Sequence, residues 1–266
     1  MTPIGANGKP ATQVRAHPPP PAETKKDEPQ DLSLYFILLA VGGVAFAVFR
    51  LRAVRTERRW RVAIQDMARG NDARASEELT HLTKSRLPMF ASLAHLALAG
   101  LAERRADWDA CLSHCEKGLA GIGTNRRLYS DYLLPELIAT RALALAATSR
   151  AAEAEAQRAL LQSQFPAFAR AGGAHFRVQL MSAIRASDFD AAAAIARGRT
   201  LDLPLPLRDD VLADVVLAAS AGATVDEVDR IARELREDEP LRAWIDAVAP
   251  GLRNRMHIRE AGNATR

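Results

Sequence analysis

Two patterns of apolar residues divide this chain. Between Leu32 and Phe49 eighteen consecutive residues carry no charge (LSLYFILLAVGGVAFAVF). Beyond Glu57, apolar residues return every three or four positions as far as about Val248, and the rhythm breaks at Gly, Pro, Asn and Asp. That step keeps one face of a 3.6-residue turn apolar, so the second pattern predicts helix after helix. The alternation expected of strands is missing, and the predicted class is all-α. The first pattern lacks the polar stripe of a core helix beyond Ser33 and Tyr35. As a helix it would be about 27 Å long, close to the thickness of a bilayer's hydrocarbon core. A helix also pairs its backbone amides internally, as lipid demands. We therefore expect a transmembrane helix over 32–49.

Charge gives the expected span a direction. Residues 50–61 hold Arg50, Arg52, Arg55, Arg58, Arg59 and Arg61 against Glu57 alone. In the first 31 residues, Lys9, Arg15, Lys25 and Lys26 are balanced by Glu23, Asp27, Glu28 and Asp31. An excess of Lys and Arg in a short flank marks the cytoplasmic side, so the C-terminal body is expected in the cytoplasm. A cleaved secretory signal would have a shorter apolar stretch and small residues at a cleavage site; here FRLRAVR follows instead. Arginine far outnumbers lysine, and alanine and leucine dominate, a composition associated with high-GC bacterial genomes. The expected location is an inner (cytoplasmic) membrane. Arg50, Arg52, Arg55, Arg58 and Arg59 (the basic juxtamembrane segment 50–61) are candidates to meet anionic lipid headgroups, each contributing about 1 kcal/mol near a membrane surface.

The sequence pI of about 9.4 comes from the flanks. Residues 253–266 add Arg253, Arg255, Arg259 and Arg266 against Glu260, which leaves the body between the flanks acidic. A nucleic-acid-binding domain would need a basic face on its folded part, so no nucleic-acid partner is expected. Residues 1–31 hold seven of the fourteen prolines, including Pro18 to Pro21 in a row. With so little apolar surface to bury, this tail is expected to be disordered with polyproline II stretches.

Within the helical part, one segment carries a denser signature. Residues 93–119 read LAHLALAGLAERRADWDACLSHCEKGL, with a small residue (Ala99) in the first helix, an Asp107-Trp108 turn, then Cys111, Cys115 and Gly118 on the second. Weaker copies flank it: Gly70-Asn71-Asp72 before Ala75, Leu79 and Leu82; Glu153-Ala154 before Leu161 and Pro166; and Ser187-Asp188-Phe189 before Ala192 and Ala196, with Ser187 expected as an N-cap. The equivalent small positions are 75, 111, 154 and 192. This pattern resembles the tetratricopeptide (TPR) repeat, a helix–turn–helix unit of 34 residues. The uneven spacing implies extra residues between 121 and 135 and around 165–175. The resemblance covers 57–200 and implies an α-solenoid, with a generic helical bundle as the structural alternative.

The remainder is expected to cap that stack (201–250) before a flexible basic tail (251–266). Leu207 to Ala221 forms one amphipathic segment. Thr224 and Glu227 have the spacing of a capping box, Pro240 suits a first helical turn, and Trp244, Ile245 and Val248 share a face. A solenoid's terminal unit needs a polar outer side.

No constellation for catalysis stands out. Glu77-Glu78, Asp209-Asp210 and Glu237-Asp238-Glu239 are carboxylate runs of the sort found on solvated helix surface. Gly118, Gly121 and Gly123 lack dinucleotide-loop spacing and are expected in a helix-ending loop. Cys111 and Cys115 lie four apart on one helix, unsuited to a disulfide. With His114, and His95 from the neighbouring helix, they could enclose zinc. Core packing is the favoured reading of both thiols, His114 is expected to face solvent, and no cofactor or metal is expected.

The resemblance implies an inner surface built from the first helix of each pair, suited to gripping a peptide or a partner's helix. Its residues would be Leu96, Gly100, Glu103 and Arg104, with Arg177, Met181 and Arg185 from the fourth copy. Gly43 and Ala47 form a small-xxx-small pair compatible with a homo-oligomer. The expected function is that of a single-pass membrane scaffold or adaptor for assembling a membrane-associated complex, and not an enzyme. Alternatives are a periplasm-facing chaperone of envelope biogenesis and a metal-binding sensor built on Cys111, His114 and Cys115.

Overall fold

The computed structural model describes residues 32–123, 129, 131–171, 173–199, 205–220, 223–252 and 254–256, the side chains of 32–39, 170 and 171 excepted. Every regular element among them is helical. In order these are α1 (Leu32–Ala68), α2 (Asp72–Leu82), α3 (Pro88–Arg104), α4 (Trp108–Ile122), α5 (Leu133–Ala147) and α6 (Ala151–Gln164). Then follow α7 (Pro166–Ala171), α8 (Ala174–Arg185), α9 (Phe189–Arg197), α10 (Leu207–Ala219), α11 (Val225–Glu237) and α12 (Glu239–Val248). The chain divides into two compact units, 1–49 and 50–266, and the paired helices belong to the second. The expected tail, 1–31, lies outside the described residues, as does most of 251–266. Among the described residues no helix is long and apolar enough to cross a membrane. The run at 32–49 is helical, but eight of its side chains fall outside that set.

One turn is built four times. After α1, α3, α5 and α8 the chain passes through a residue of positive φ: Gly70 (78°), Ala106 (54°), Ser149 (63°) and Ser187 (58°). Each sits in the same pair of hydrogen bonds. The residue's own amide donates three positions back: to Met67, Glu103, Ala146 and Ile184. The following amide donates five back: to Asp66, Ala102, Leu145 and Ala183, at 2.9–3.0 Å. This is the Schellman arrangement, in which a left-handed residue lets two orphan carbonyls of a helix end find donors. The next residue then opens the following helix, and Asp107 and Asp188 accept bonds from the amides of Ala110 and Ala191. Ser187 is therefore not an N-cap: its φ of 58° makes it the left-handed stop of α8, and Asp188 caps α9.

Five residues past each stop lies a small residue with no exposure: Ala75, Cys111, Ala154 and Ala192. Small side chains there let the second helix of each pair lie close against the first. Three clusters of buried residues result. One joins Ala63, Ala75, Leu79, Leu82, Leu98 and Leu101 from α1, α2 and α3. A second lies where Ile122, Leu137, Ile138, Leu161 and Ala174 meet. The largest runs from Trp108 and Cys111 through α5, α8 and α9 into α10, α11 and α12. The residues added near 165–175 form the short helix α7.

Gly118 and Gly121 correct the expectation of a helix-ending loop, for both lie inside α4. A Cβ on Gly118 would come within 2.8 Å of Leu137 and 3.3 Å of His95, and one on Gly121 within 2.8 Å of Ser92 Oγ. Ser92 Oγ itself donates to the Gly118 carbonyl at 3.0 Å. These glycines hold α3 against α4; only Gly123, at φ 55°, ends the helix.

Helices α11 and α12 start as their sequence predicts. The Thr224 side chain accepts the Glu227 amide while Glu227 accepts the Thr224 amide at 2.8 Å. Asp238 accepts the Leu241 amide at 2.8 Å, with Pro240 in the first turn. Val228, Ile231 and Leu235, then Leu241, Trp244, Ile245 and Val248, face the core.

Candidate functional site

The expected inner surface is not left open where α3 and α8 meet. Arg177 of α8 donates to Glu103 of α3, and the same guanidinium nitrogen lies 3.1 Å from Asp209 Oδ2 of α10. The Asp209 contact is an ion pair without hydrogen-bond alignment, and Arg177 Nε has no hydrogen-bond partner among the described residues. Side-chain exposures are 15% for Arg177, 18% for Glu103 and 4% for Asp209. Burial pushes the Glu103 carboxyl above the usual carboxylate range, against the pull of Arg177. The two neighbouring carboxylates keep Arg177 firmly charged despite its own burial. Glu136 of α5 is raised too, by burial first, with Arg177 opposing.

The C-terminal helices reach the same place. Trp244 Nε1 of α12 donates to the Glu103 carbonyl at 2.9 Å. Arg208 of α10 donates to the Arg104 carbonyl, and its guanidinium lies 5.8 Å from the Trp244 ring centroid. Two carbonyls in the last turn of α3 thus accept from α10 and α12, the Glu103 carbonyl in addition to the Ala106 amide. The stack closes on its own C-terminal helices, which occupy the surface a partner was expected to use at Glu103 and Arg177.

The other expected residues fall into two groups. Met181 is only 1% exposed and belongs to the main core, so its place is internal. Arg185 Nε donates to the Ala147 carbonyl at 2.5 Å, closing the end of α5. Arg104 is exposed on α3, while Gly100 and Leu96 are half-buried and Leu96 packs against the cluster around Leu137. Nothing lies within 4 Å of where a Cβ would stand on Gly100, and Arg104 reaches Asp72 at 3.4 Å and the Met67 carbonyl at 3.3 Å.

Cys111 and Cys115 are both free and fully buried, and the contact between them together with burial pushes the Cys111 thiol up. His114 is half-buried, not solvent-facing, because it meets His95: the two Nδ1 atoms are 3.2 Å apart. Burial, then the neighbouring imidazole, pushes His95 down to about 4, and His114 is lowered by burial and by Lys117. The pair is therefore neutral near pH 7, one ring donating to the other. Among the described residues no group of three or more His, Cys, Asp or Glu could hold a metal ion.

The residues that sequence reasoning missed are Asp209, Arg208 and Trp244. Asp209, in the first turn of α10 beside Asp210, corrects the expectation of a solvated carboxylate run: it is buried, because its partner lies on another element. No protein-family model, curated protein or solved structure matches the chain.

Proposed function

We propose that this protein is a membrane-anchored scaffold: a single-pass helix over 32–49 carrying a TPR-like stack of helical pairs that binds other proteins. The observation that carries the reading is the fourfold recurrence of one turn at 70, 106, 149 and 187, each followed by a buried small residue. Repeated pairs of this kind present ridges and grooves suited to a peptide or a partner's helix. The anchor draws support from apolar side chains of α1, Val41, Val44, Phe46 and Phe49, each more than half exposed. Six arginines follow them directly, which favours a cytoplasmic body by the charge rule. For a partner, the exposed part of the expected surface is Arg104 on α3, with Gly100 and Leu96 half-buried beside it.

In-cell crosslinking of membranes followed by mass spectrometry tests this. We expect a small set of recurrent partner proteins crosslinked near α3, lost on Arg104→Glu. A full-length chain that washes off membranes in alkaline carbonate would overturn the anchor. A reporter fused after Arg266 that is active only outside the cytoplasm would overturn the orientation.

A further inference from the structure

A cleft of about 660 Å³ opens between α6 and α9, floored by α5 and α8 and closed at one end by α7. Its origin is local. The α7 insertion and the left-handed Gly173 (φ 63°) set the start of α8, and alanines at 139, 142, 169 and 174 leave room where larger side chains would fill the gap. Leu161, Phe176, Val178 and Ile195 complete apolar walls. The volume lies within the range of about 300–1,000 Å³ typical of small-molecule sites, which combine apolar walls with a few placed polar groups.

The polar lining has a one-sided chemistry. Among the described residues it consists of Arg158, Arg199, His175, Gln162 and Gln179, with no Asp or Glu. Carboxylates outside the lining steady the two arginines: Glu155 accepts from Arg158 Nε at 2.6 Å and from its Nη2, and Asp210 and Asp214 accept from Arg199 at 2.6 and 2.9 Å. Arg158 also presents Nη1 to His175 Nδ1 at 2.5 Å. A guanidinium only donates, so the nitrogen it meets must be unprotonated and the ring proton sits on Nε2 as a further donor. The Gln162 Oε1 atom lies 3.4 Å from the same Nη1, leaving its amide nitrogen to donate. The cleft therefore offers an apolar floor beside donors held in place by other residues, which suits an apolar molecule with an anionic head.

We propose that the cleft between α6 and α9 binds a small amphipathic carboxylate, its apolar body on the alanine floor and its head at Arg158 and His175. The site is separate from the α3 surface, and either could exist without the other. Equilibrium dialysis of full-length protein in phosphatidylcholine nanodiscs, with empty nanodiscs as blank, tests it using radiolabelled 4-phenylbutanoate and octanoate. We expect saturable binding of one equivalent of at least one probe, and the difference between the two tells an aromatic body from a straight chain. The matched alcohol of the bound probe should bind at least tenfold more weakly. Arg158→Gln should weaken the carboxylate at least tenfold and leave the alcohol unchanged. Ala169→Trp, which places a bulky ring in the cleft from α7, should abolish both while the helical circular dichroism stays intact. If Arg158→Gln lowers that signal, His175→Phe replaces it, with the same loss of preference for carboxylate expected. Absence of saturable binding for both probes, equal binding of acid and alcohol, or binding untouched by Ala169→Trp would each overturn the assignment.

Discussion

Replacing Arg177 by methionine exposes what the central charge cluster contributes. Two unit charges about 3 Å apart attract by about 5 kcal/mol at an effective dielectric of about 20, and Arg177 makes two such contacts, one of them at 3.1 Å. Against this stand the mutual repulsion of Glu103 and Asp209 and the desolvation of three ions, several kcal/mol each. The intact cluster is thus close to neutral for stability. Its rupture is not, because Arg177→Met leaves two buried carboxylates without their ion-pair partner, and we expect a loss of about 3–5 kcal/mol. The penalty should depend on pH with a definite sign. Glu103 already has a raised carboxyl, and losing Arg177 raises it further. A carboxyl raised in the folded state favours folding below its unfolded value of 4.5, and that advantage is lost as pH rises through the folded value. The variant should therefore be hurt less near pH 4.5 than near pH 7. Guanidinium unfolding followed by circular dichroism at both pH values reads this directly. The triple change Arg177→Met, Glu103→Leu, Asp209→Leu should recover the loss, since apolar residues of similar volume replace buried ion clusters at little cost. A loss for Arg177→Met below about 1 kcal/mol, or one equal at both pH values, would refute the argument.

Other positions carry equally definite expectations. Ser149→Gly and Ser187→Gly should each stabilise the body by about 0.5–1 kcal/mol, because an L residue in the left-handed region is strained and both side chains are exposed; the denaturation midpoint measures this. Gly118→Val should destabilise by about 1–3 kcal/mol through overpacking against Leu137 and His95, whereas Gly100→Ala, with open space at its Cβ, should stabilise by about 0.5–1 kcal/mol as a helix-interior glycine; thermal melts compare the two. His95 should titrate by NMR near 4 rather than 6.5. A depressed histidine gives stability that is complete above the unfolded value and lost as pH falls toward the folded one. The body should accordingly weaken between pH 6.5 and 4, and His95→Gln should flatten that part of the profile.

Much of this architecture was legible along the chain because its causes are local. The capping box at Thr224 and Glu227 joins residues three apart, and the small positions 75, 111, 154 and 192 lie a fixed five residues past their turns. Helical hydrogen bonds and Schellman stops close within one or two turns, so a few neighbouring residues determine them. Even there the sequence hid one detail: alanine and serine occupy left-handed stops where glycine would have announced them, and Ser187 consequently resembled a cap.

Tertiary structure decided how the pairs use their polar residues. Glu103 and Arg177 are 74 residues apart, and Glu103 and Trp244 are 141 apart. Their meeting depends on the summed rotations of every hairpin between them, which no local pattern records. For the same reason residues that looked like a binding face became an internal clasp for α10 and α12. The glycines that looked like a loop became the contact between α3 and α4, and a short insertion at α7 opened a cleft. Spacing along one helix determines which side chains share a face; only the packing of the other helices determines whether that face meets water, a partner or the protein itself.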